Sequence, residues 1–210
     1  MQQKIEVYNE YKADKFLSAF APVAKSQLVK SREEIKISFP LFLKIVSNDA
    51  LHKTDIDGVQ LVQNKEALKE KFDYLLSIVK RKKIKLDGIL AQEKIEGQQL
   101  IIGIKKDPVF NHVLLLGLGG VFAEIYNDIS IRKCPINKDD AQEMIDELKA
   151  RKIFYGFRGK KLNLEHLKKI MIKISEIPSK YKKIQELDIN PFILNEKEGK
   201  IADSRIIFAK

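Results

Sequence analysis

The sequence has no tryptophan, only one cysteine, and no apolar run long enough to cross a bilayer. The single Cys134 excludes an internal disulfide and a cysteine-rich zinc site, as expected in a reducing compartment. Next to Lys133 its thiol is compatible with a lowered pKa or with plain packing. The longest apolar stretch, 113–123, is too short for a transmembrane helix. The first ten residues lack a signal-peptide core. We therefore expect a cytoplasmic protein without a membrane partner.

Positive charge is in excess, with a formal net charge of +10 and a pI of about 9.4. Such a balance favours anionic partners, whether nucleic acid, acidic membranes or phosphorylated small molecules. The lysines are scattered except at 80–83 and around 180–183. A nucleic-acid binder more often shows one basic stripe with interleaved aromatic residues. We expect no nucleic-acid partner.

The chain is long enough for one substantial core or for two small lobes. Apolar periodicity predicts both strands and helices. Asn137 and Asn163 are good N-caps for two of the helices. The predicted strands are 41–46, 59–63, an antiparallel pair at 89–93 and 100–104, 113–116, 121–126 and a hairpin over 186–203, and the predicted helices are 7–20, 64–79 and those after the two caps.

One polar loop lies between two of these strands. Lys44 is the one charge in the apolar run 41–46, and a lysine there needs an anion. The loop 47–58 then carries His52 among other ionisable residues. A cluster of this kind between strands is typical of a chemical site. The alternatives are a solvated histidine and a lysine that only extends to the surface.

The C-terminal hairpin carries a second polar group. The period of two along a strand places Glu186, Asp188 and Asn190 on one face. With its turn near Lys197, the hairpin brings Asp203 opposite Asn190 or the next residue. Their oxygens can hold Mg²⁺ while phosphates and water complete its shell. A solvated hairpin is the alternative.

A glycine cluster follows the strand 113–116. Gly117, Gly119 and Gly120 permit close approach of backbone N–H groups to phosphate, or simply a tight turn. They do not form the three-glycine dinucleotide-binding pattern, because a strand and not a helix is predicted next.

Several short motifs occur in the order found in one known family. The chain resembles the β subunit of the ADP-forming (NDP-forming) acyl-CoA synthetases, an ATP-grasp protein related to the succinate-CoA ligase β subunit. The motifs are Pro40-Leu-Phe-Leu-Lys-Ile-Val-Ser, Leu51-His-Lys-Thr-Asp, Asp107-Pro-Val-Phe, Gly117-Leu-Gly-Gly-Val-Phe-Ala-Glu, Asp128-Ile-Ser-Ile-Arg, Glu186-Leu-Asp-Ile-Asn-Pro and Ala202-Asp-Ser-Arg-Ile.

This resemblance implies an α+β fold with two ATP-grasp lobes. A divergent N-terminal segment would occupy 1–39, lobe 1 with the histidine loop 40–90, and lobe 2 with the nucleotide and Mg²⁺ site 91–210. The implied reaction is acyl-CoA + ADP + phosphate ⇌ carboxylic acid + CoA + ATP. No segment is expected to form the CoA-binding domain, so a separate CoA-binding α subunit is implied as partner.

The resemblance also implies roles for individual residues. His52 would carry the phosphoryl group, with Asp188 orienting it. Asn190 and Asp203 would bind Mg²⁺. The residues that would bind ATP or ADP are Lys44, Gln92, Glu93, Lys94, Ile95, Gln99, Gly117, Gly119, Gly120 and Arg205.

Other functions stay open at this point. One is a succinate-CoA ligase type of β subunit or another ATP-grasp carboxylate ligase, against which the His52 loop argues. A second is a non-catalytic nucleotide-binding or assembly subunit, since Gln99 stands where the family usually has glutamate. Retention of Lys44, His52 and Asp188 argues against it. A basic nucleic-acid binder is the most distant alternative.

Overall fold

A computed structural model describes residues 5–47, 56–119, 128–157 and 159–210 of the chain. These ranges contain eleven strands and five α-helices. The strands are β1 Ile5–Tyr8, β2 Ser26–Val29, β3 Leu41–Val46, β4 Val59–Val62, β5 Gly88–Glu93, β6 Gln98–Asp107, β7 Asn111–Leu118, β8 Ile129–Lys133, β9 Ile184–Leu194, β10 Gly199–Ile201 and β11 Ser204–Ala209. The helices are α1 Glu10–Leu17, α2 Lys65–Lys82, α3 Lys138–Glu147, α4 Leu164–Ser175 and α5 Ile177–Lys180.

The strands form two sheets. The four-stranded sheet has the order β2-β5-β3-β4. The seven-stranded sheet has the order β1-β11-β9-β6-β7-β8, with β10 paired to β9. All these pairs are antiparallel. Helices combined with antiparallel sheets make this an α+β fold.

The chain divides into two compact units. The smaller unit contains 9–11 and 24–95, and the larger unit contains 1–8, 12–23 and 96–210. The residues before 40 therefore contribute to both units. The lobe boundary expected at 90/91 from the sequence stays a prediction.

In the smaller unit, α2 packs on one face of the four-stranded sheet. The Asn64 side chain accepts a hydrogen bond from the Ala67 N–H at 3.0 Å and caps the helix. Phe72, Leu75 and Ile78 are its buried residues, whereas Leu76 is 37% exposed. The sheet residues in this core include Leu41, Leu43, Ile45, Val62, Ile89 and Ala91.

In the larger unit, the core includes apolar residues of α1, α3, α4 and the seven-stranded sheet. Asn137 and Asn163 cap α3 and α4 as predicted, because each side chain accepts N–H groups of the first turn. Leu187 and Ile189 of β9 point into this core. The polar residues that alternate with them therefore lie on the opposite face of the sheet.

Two sequence predictions about pairing and local structure are wrong. The strands predicted at 89–93 and 100–104 do not pair with each other, because β5 lies between β2 and β3 and both its edges are used. The segment 7–20 is not one helix. Its first residues belong to β1, which pairs with β11, and α1 begins only at Glu10.

None of the helices within the described ranges is long and apolar enough to cross a membrane.

Candidate functional site

Lys44 has a buried acidic partner within the smaller unit. Its Nζ donates to Glu10 Oε1 at 2.7 Å, and the side chains are only 7% and 2% exposed. The sequence predicted that a lysine in this strand needs an anion, and Glu10 supplies one. Two buried opposite charges hold each other in place, because either one alone would pay a large desolvation cost.

The segment 92–95 leaves β5 at the end of the four-stranded sheet. The Glu93 carboxylate accepts the Lys25 N–H at 2.8 Å, and the Glu93 N–H donates to the Lys25 carbonyl at 2.9 Å. The Lys94 N–H donates to the Pro40 carbonyl at 3.3 Å. These contacts fix the path of residues 92–95, to which the family resemblance gives a role in nucleotide binding.

Lys44 and Gln92 lie on the same face of the four-stranded sheet. Gln92 of β5 is directly opposite Phe42 of β3, and Lys44 follows Phe42 by two residues. Residues two apart on a strand share a face, as do directly opposed residues. The intervening Leu43 instead belongs to the core with α2. Lys44 and Gln92, two of the predicted nucleotide-binding residues, therefore share one face of this sheet.

In the larger unit, Gly119 lies tightly against Gln99. The Gly119 N–H donates to the Gln99 carbonyl at 2.8 Å. A Cβ at Gly119 would lie 3.1 Å from both the carbonyl carbon and the Cβ of Gln99. Gly117 is also confined, because a Cβ there would lie 3.2 Å from Ile129 Cγ2. These glycines permit close backbone packing at the end of β7, and the phosphate-binding role stays a prediction.

A polar cluster lies on the face of β9 and β11 that is opposite the core. Asp188 is directly opposite Arg205, whose Nη2 donates to Glu186 Oε1 at 2.8 Å. Burial raises the pKa of Asp188; Arg205 opposes this shift, and the charges of Glu186 and Asp203 add to it. The cluster thus has more negative charge than Arg205 alone balances.

Asn190 and Asp203 are paired through their backbones, as the predicted hairpin requires. The Asn190 N–H donates to the Asp203 carbonyl at 3.0 Å. Within the described ranges, no group of three or more His, Cys, Asp or Glu side chains is arranged to hold a metal ion. Two oxygen-bearing side chains beside surplus negative charge do fit Mg²⁺, which commonly takes few protein ligands and completes its shell with phosphate and water.

The motif beginning at Asp128 has a structural role that the sequence analysis missed. The buried Asp128 carboxylate accepts the N–H groups of Lys149 and Ala150 at 2.8 and 2.9 Å. Arg132 and Ser130 of β8 both contact the Glu147 carboxylate at the end of α3. The motif therefore joins β8 to α3 and to the loop after it. The signal for this role in the sequence was Asp128 followed, at spacings of two, by Ser130 and Arg132.

His52 and Gly120 lie outside the described residues, as does the strand predicted at 121–126. The other predicted site residues divide between the smaller and the larger unit. The smaller unit has Lys44, Gln92, Glu93, Lys94 and Ile95, and the larger has Gln99, Gly117, Gly119, Asp188, Asn190, Asp203 and Arg205.

Comparison with known proteins gives consistent relatives. The ATP-grasp domain family matches residues 1–208. An ADP-forming acetate-CoA ligase of Methanocaldococcus jannaschii is 40% identical over 214 residues, covering 95% of this chain but only 30% of that protein. The β subunit of ADP-forming acetate-CoA ligase I of Pyrococcus furiosus is 36% identical over 196 residues, covering 89% of this chain and 84% of the subunit. The chain therefore spans most of the length of the Pyrococcus subunit and under a third of the length of the Methanocaldococcus protein.

Solved structures of one protein match closely. This is the dinucleotide forming acetyl-coenzyme A synthetase 1 of Candidatus Korarchaeum cryptofilum. In its complex with coenzyme A and Ca-AMPCP the TM-score is 0.93 at 37% identity, covering 97% of this chain and 93% of that one. In its complex with coenzyme A and Mg-AMPPCP, with the phosphohistidine segment pointing towards the nucleotide binding site, the TM-score is 0.84 at 34% identity, covering 96% and 92%.

Proposed function

Because the chain belongs to the ATP-grasp family of ADP-forming acetate-CoA ligase β subunits, we propose that it binds ATP or ADP and transfers a phosphoryl group between the nucleotide and His52. The complete reaction is acyl-CoA + ADP + phosphate ⇌ carboxylic acid + CoA + ATP. This chain performs the nucleotide half. A separate CoA-binding α subunit performs the other half, in the reducing cytoplasm.

The observation that carries the proposal is the match to the Korarchaeum synthetase. That protein is described with a nucleotide analogue and a phosphohistidine segment, and this chain shares its fold at 34–37% identity. The sequence of this chain has a histidine in Leu51-His-Lys-Thr-Asp, in the segment between β4 and β3, the strand that carries Lys44. Phosphoryl transfer requires at least a bound nucleotide and a nucleophilic side chain that can reach its phosphate.

The transfer is a displacement at the γ-phosphorus of ATP. The unprotonated ring nitrogen of His52 forms the N–P bond while the bond from phosphorus to the bridging oxygen breaks, and ADP leaves with that electron pair. Lys44 binds phosphate oxygens and Asp188 orients the imidazole. Asn190 and Asp203 would hold Mg²⁺, which would neutralise phosphate charge when bound. In the direction of ATP synthesis the same bonds change in reverse.

The test is transfer of label from γ-labelled ATP to the purified chain in the presence of Mg²⁺. We expect acid-labile, alkali-stable label on the protein, and none on the His52→Ala variant. His166→Ala is the matched control, because His166 lies on α4 and contacts the Gly199 carbonyl. Label that persists in His52→Ala, or that is lost equally in His166→Ala, would contradict the assignment.

The partner is tested in the same assay. Adding a candidate CoA-binding α subunit with coenzyme A and a carboxylic acid should discharge the labelled histidine and produce acyl-CoA. The chain alone should produce none, since the acid and coenzyme A would bind on the partner. Complete turnover by the pure chain would show that no partner is required.

A further inference from the structure

The turn between β6 and β7 presents two large apolar side chains to solvent. Val109 is 79% exposed and Phe110 is 51% exposed. They belong to the Asp107-Pro-Val-Phe motif, and neither has a role in the core or in the proposed function. Adjacent exposed apolar side chains that are rimmed by polar residues are typical of an interaction site. The turn is therefore a candidate surface for a partner.

Hydrogen bonds hold this turn in a defined position. The Asp107 carboxylate accepts the N–H groups of Val109 and Phe110, both at 2.8 Å. The His112 N–H donates to the Phe110 carbonyl at 2.9 Å. The Nε2 atom of the buried His112 ring lies 2.9 Å from the Ile184 carbonyl oxygen at the start of β9, and it donates because a carbonyl can only accept. A surface that is ordered in advance loses little conformational freedom when a partner binds.

Lysines lie on both sides of the turn, at the same end of the seven-stranded sheet. Lys133 is the last residue of β8, beside β7. On the other side, the Lys183 carbonyl accepts the Ala209 N–H at 2.8 Å and joins the start of β9 to the end of β11. We call the exposed lysines at this end the lysine collar, and none of them forms an ion pair with another described residue: Lys105, Lys106, Lys133, Lys182, Lys183 and Lys210.

The chemistry of this surface selects among kinds of partner. A second copy of the chain would bring one lysine collar against another, and like charges repel. Single-stranded nucleic acid stacks its successive bases on several aromatic side chains, whereas the turn offers only Phe110. A protein with an apolar pocket rimmed by carboxylates matches both features of the surface. Aromatic anchors and complementary charges at the rim are typical of protein interfaces.

The position of the turn relative to Asp188 indicates which protein this is. Gly103 of β6 is directly opposite Asp188, and β6 continues for four residues to Asp107. At about 3.4 Å per residue, the turn begins about 14 Å from Asp188. Lys105 lies on the same face of the sheet as Asp188, because it follows Gly103 by two residues. A protein docked at the turn would therefore lie beside the residue assigned to orient the phosphoryl-carrying histidine.

We propose that Val109, Phe110 and the lysine collar form the surface on which the CoA-binding α subunit docks. Phe110 fills an apolar pocket of that subunit, and the lysines contact carboxylates around the pocket. This inference rests on the proposed function, because the α subunit is the partner which that function requires. An anionic membrane would match the same chemistry, but the proposed reaction requires a protein partner and no membrane.

The experiment measures binding of the full-length chain to a purified candidate CoA-binding α subunit by calorimetry, at low and at high ionic strength. The turn variant carries Val109→Ser with Phe110→Ser, and the lysine variant carries Lys105→Glu with Lys183→Glu. All four side chains are exposed, so both variants should melt as the wild type does. Label transfer from γ-labelled ATP is measured on every protein in parallel.

Two matched controls carry the same kinds of substitution elsewhere. Leu76→Ser removes an apolar side chain that is 37% exposed on α2 of the smaller unit. Lys169→Glu reverses the charge of an exposed lysine on α4 of the larger unit. Neither residue lies at the end of the sheet that carries the turn.

We expect the turn variant to bind the α subunit at least about thirtyfold more weakly than the wild type does, as is typical of a central aromatic anchor. The lysine variant should bind about tenfold more weakly at low ionic strength and lose less at high ionic strength, because salt screens the collar. Both controls should bind as the wild type does. All of these proteins should accept label from ATP equally, since the turn takes no part in the nucleotide half.

Equal affinity of the turn variant and the wild type for the α subunit would overturn the inference, as would an equal loss in Leu76→Ser. Two further assays measure binding to vesicles of phosphatidylserine and phosphatidylcholine, and self-association by light scattering. Either activity, if present in the wild type and lost in the turn variant, would assign the surface to a membrane or to a second copy and overturn the inference.

The label separates failure of the inference from failure of the proposed function. With His52 labelled in every protein, the results above leave phosphoryl transfer intact. A wild-type chain that is labelled but binds no α subunit would remove the partner from the proposed function and overturn this inference with it. A chain that takes up no label but loses α-subunit affinity in the turn variant would contradict the proposed transfer and support the docking surface.

Discussion

The ammonium of Lys44 and the carboxylate of Glu10 form an ion pair at 2.7 Å in which both side chains are buried. The two residues are 34 positions apart, on β3 and at the start of α1. The predicted phosphate-binding lysine is therefore held in a defined position before any phosphate arrives. How strongly the Lys44 ammonium attracts a phosphate depends on the other charged groups around it.

Removing one member of this pair should destabilise the protein strongly. Glu10→Leu leaves the Lys44 charge buried without this carboxylate, and Lys44→Met leaves the Glu10 charge. Each should lower the free energy of unfolding by about 3–5 kcal/mol. The double variant should lose less than the sum of the two, because it buries neither charge. Urea denaturation of the wild type, the two single variants and the double variant measures the coupling free energy between the two residues.

An exposed pair provides the control for that experiment. Lys160 Nζ lies 2.5 Å from Glu196 Oε1, with side chains 78% and 38% exposed. Glu196→Ala should leave the free energy of unfolding nearly unchanged, because water and salt screen such pairs. Additive effects of the Glu10 and Lys44 substitutions would contradict the buried interaction.

Gly119 should not tolerate a side chain, whereas Gly159 should. A Cβ at position 119 would lie 3.1 to 3.2 Å from Gln99, mostly from its backbone. At Gly159, no atom of the described residues comes within 4 Å of an added Cβ. Gly119→Ala should lower the free energy of unfolding by about 1–3 kcal/mol through overpacking. Gly159→Ala should be neutral. Thermal melts compare the two variants. Equal melting temperatures would show that the end of β7 shifts away from Gln99 to make room for the added methyl group.

Local sequence signals predicted local structure well. Asn137 and Asn163 cap their helices because an N-cap is decided by a side chain and the next two or three N–H groups. The alternation around Asp188 also placed Leu187 in the core and Asp188 on the other face. The pairing of Asn190 with Asp203 followed from the short hairpin. Each of these needs only neighbouring residues.

Long-range pairing could not be derived in the same way. The 89–93 strand was assigned to the wrong neighbour, because short separation favours a hairpin but the buried β5 takes two partners from elsewhere in the chain. Glu10 was missed as the partner of Lys44, since nothing local links them. The Gln92 Nε2 group has no hydrogen-bond partner among the described residues, and this depends on everything packed around it, so only the folded chain shows it.

Cys134 should react slowly in the folded protein. Burial raises the pKa of its thiol from 9.0 to about 12, so a lowered pKa next to Lys133 is not found. The thiolate is the reactive form. At pH 8 the native chain should therefore react with iodoacetamide at least about a hundredfold more slowly than the chain in urea. The only cysteine gives an unambiguous signal.

The raised pKa of Cys134 also predicts how stability and the labelling rate depend on pH. The folded protein holds the thiol proton more tightly than the unfolded chain does. This preference stabilises the fold fully below the ordinary pKa of 9.0 and is lost as the pH rises towards about 12. The native labelling rate should continue to rise across that window. A rate that levels off near pH 9 would contradict the raised pKa.

Asp203 should control the Mg²⁺ requirement of nucleotide binding. The proposed site places its carboxylate with the Asn190 side chain, next to the surplus negative charge at Asp188 and Glu186. Asp203→Asn keeps size and an oxygen but removes one negative charge, so affinity for the hard Mg²⁺ ion should fall. We expect at least about a tenfold increase in the Mg²⁺ concentration that half-saturates ATP binding. Glu198→Gln, on the exposed turn before β10, should leave this Mg²⁺ concentration unchanged.

ATP titrations by calorimetry at a series of Mg²⁺ concentrations measure the requirement of both variants. An identical requirement in wild type and Asp203→Asn would remove Asp203 from the metal site, while loss of ATP binding at every Mg²⁺ concentration would show that Asp203 supports the nucleotide site itself.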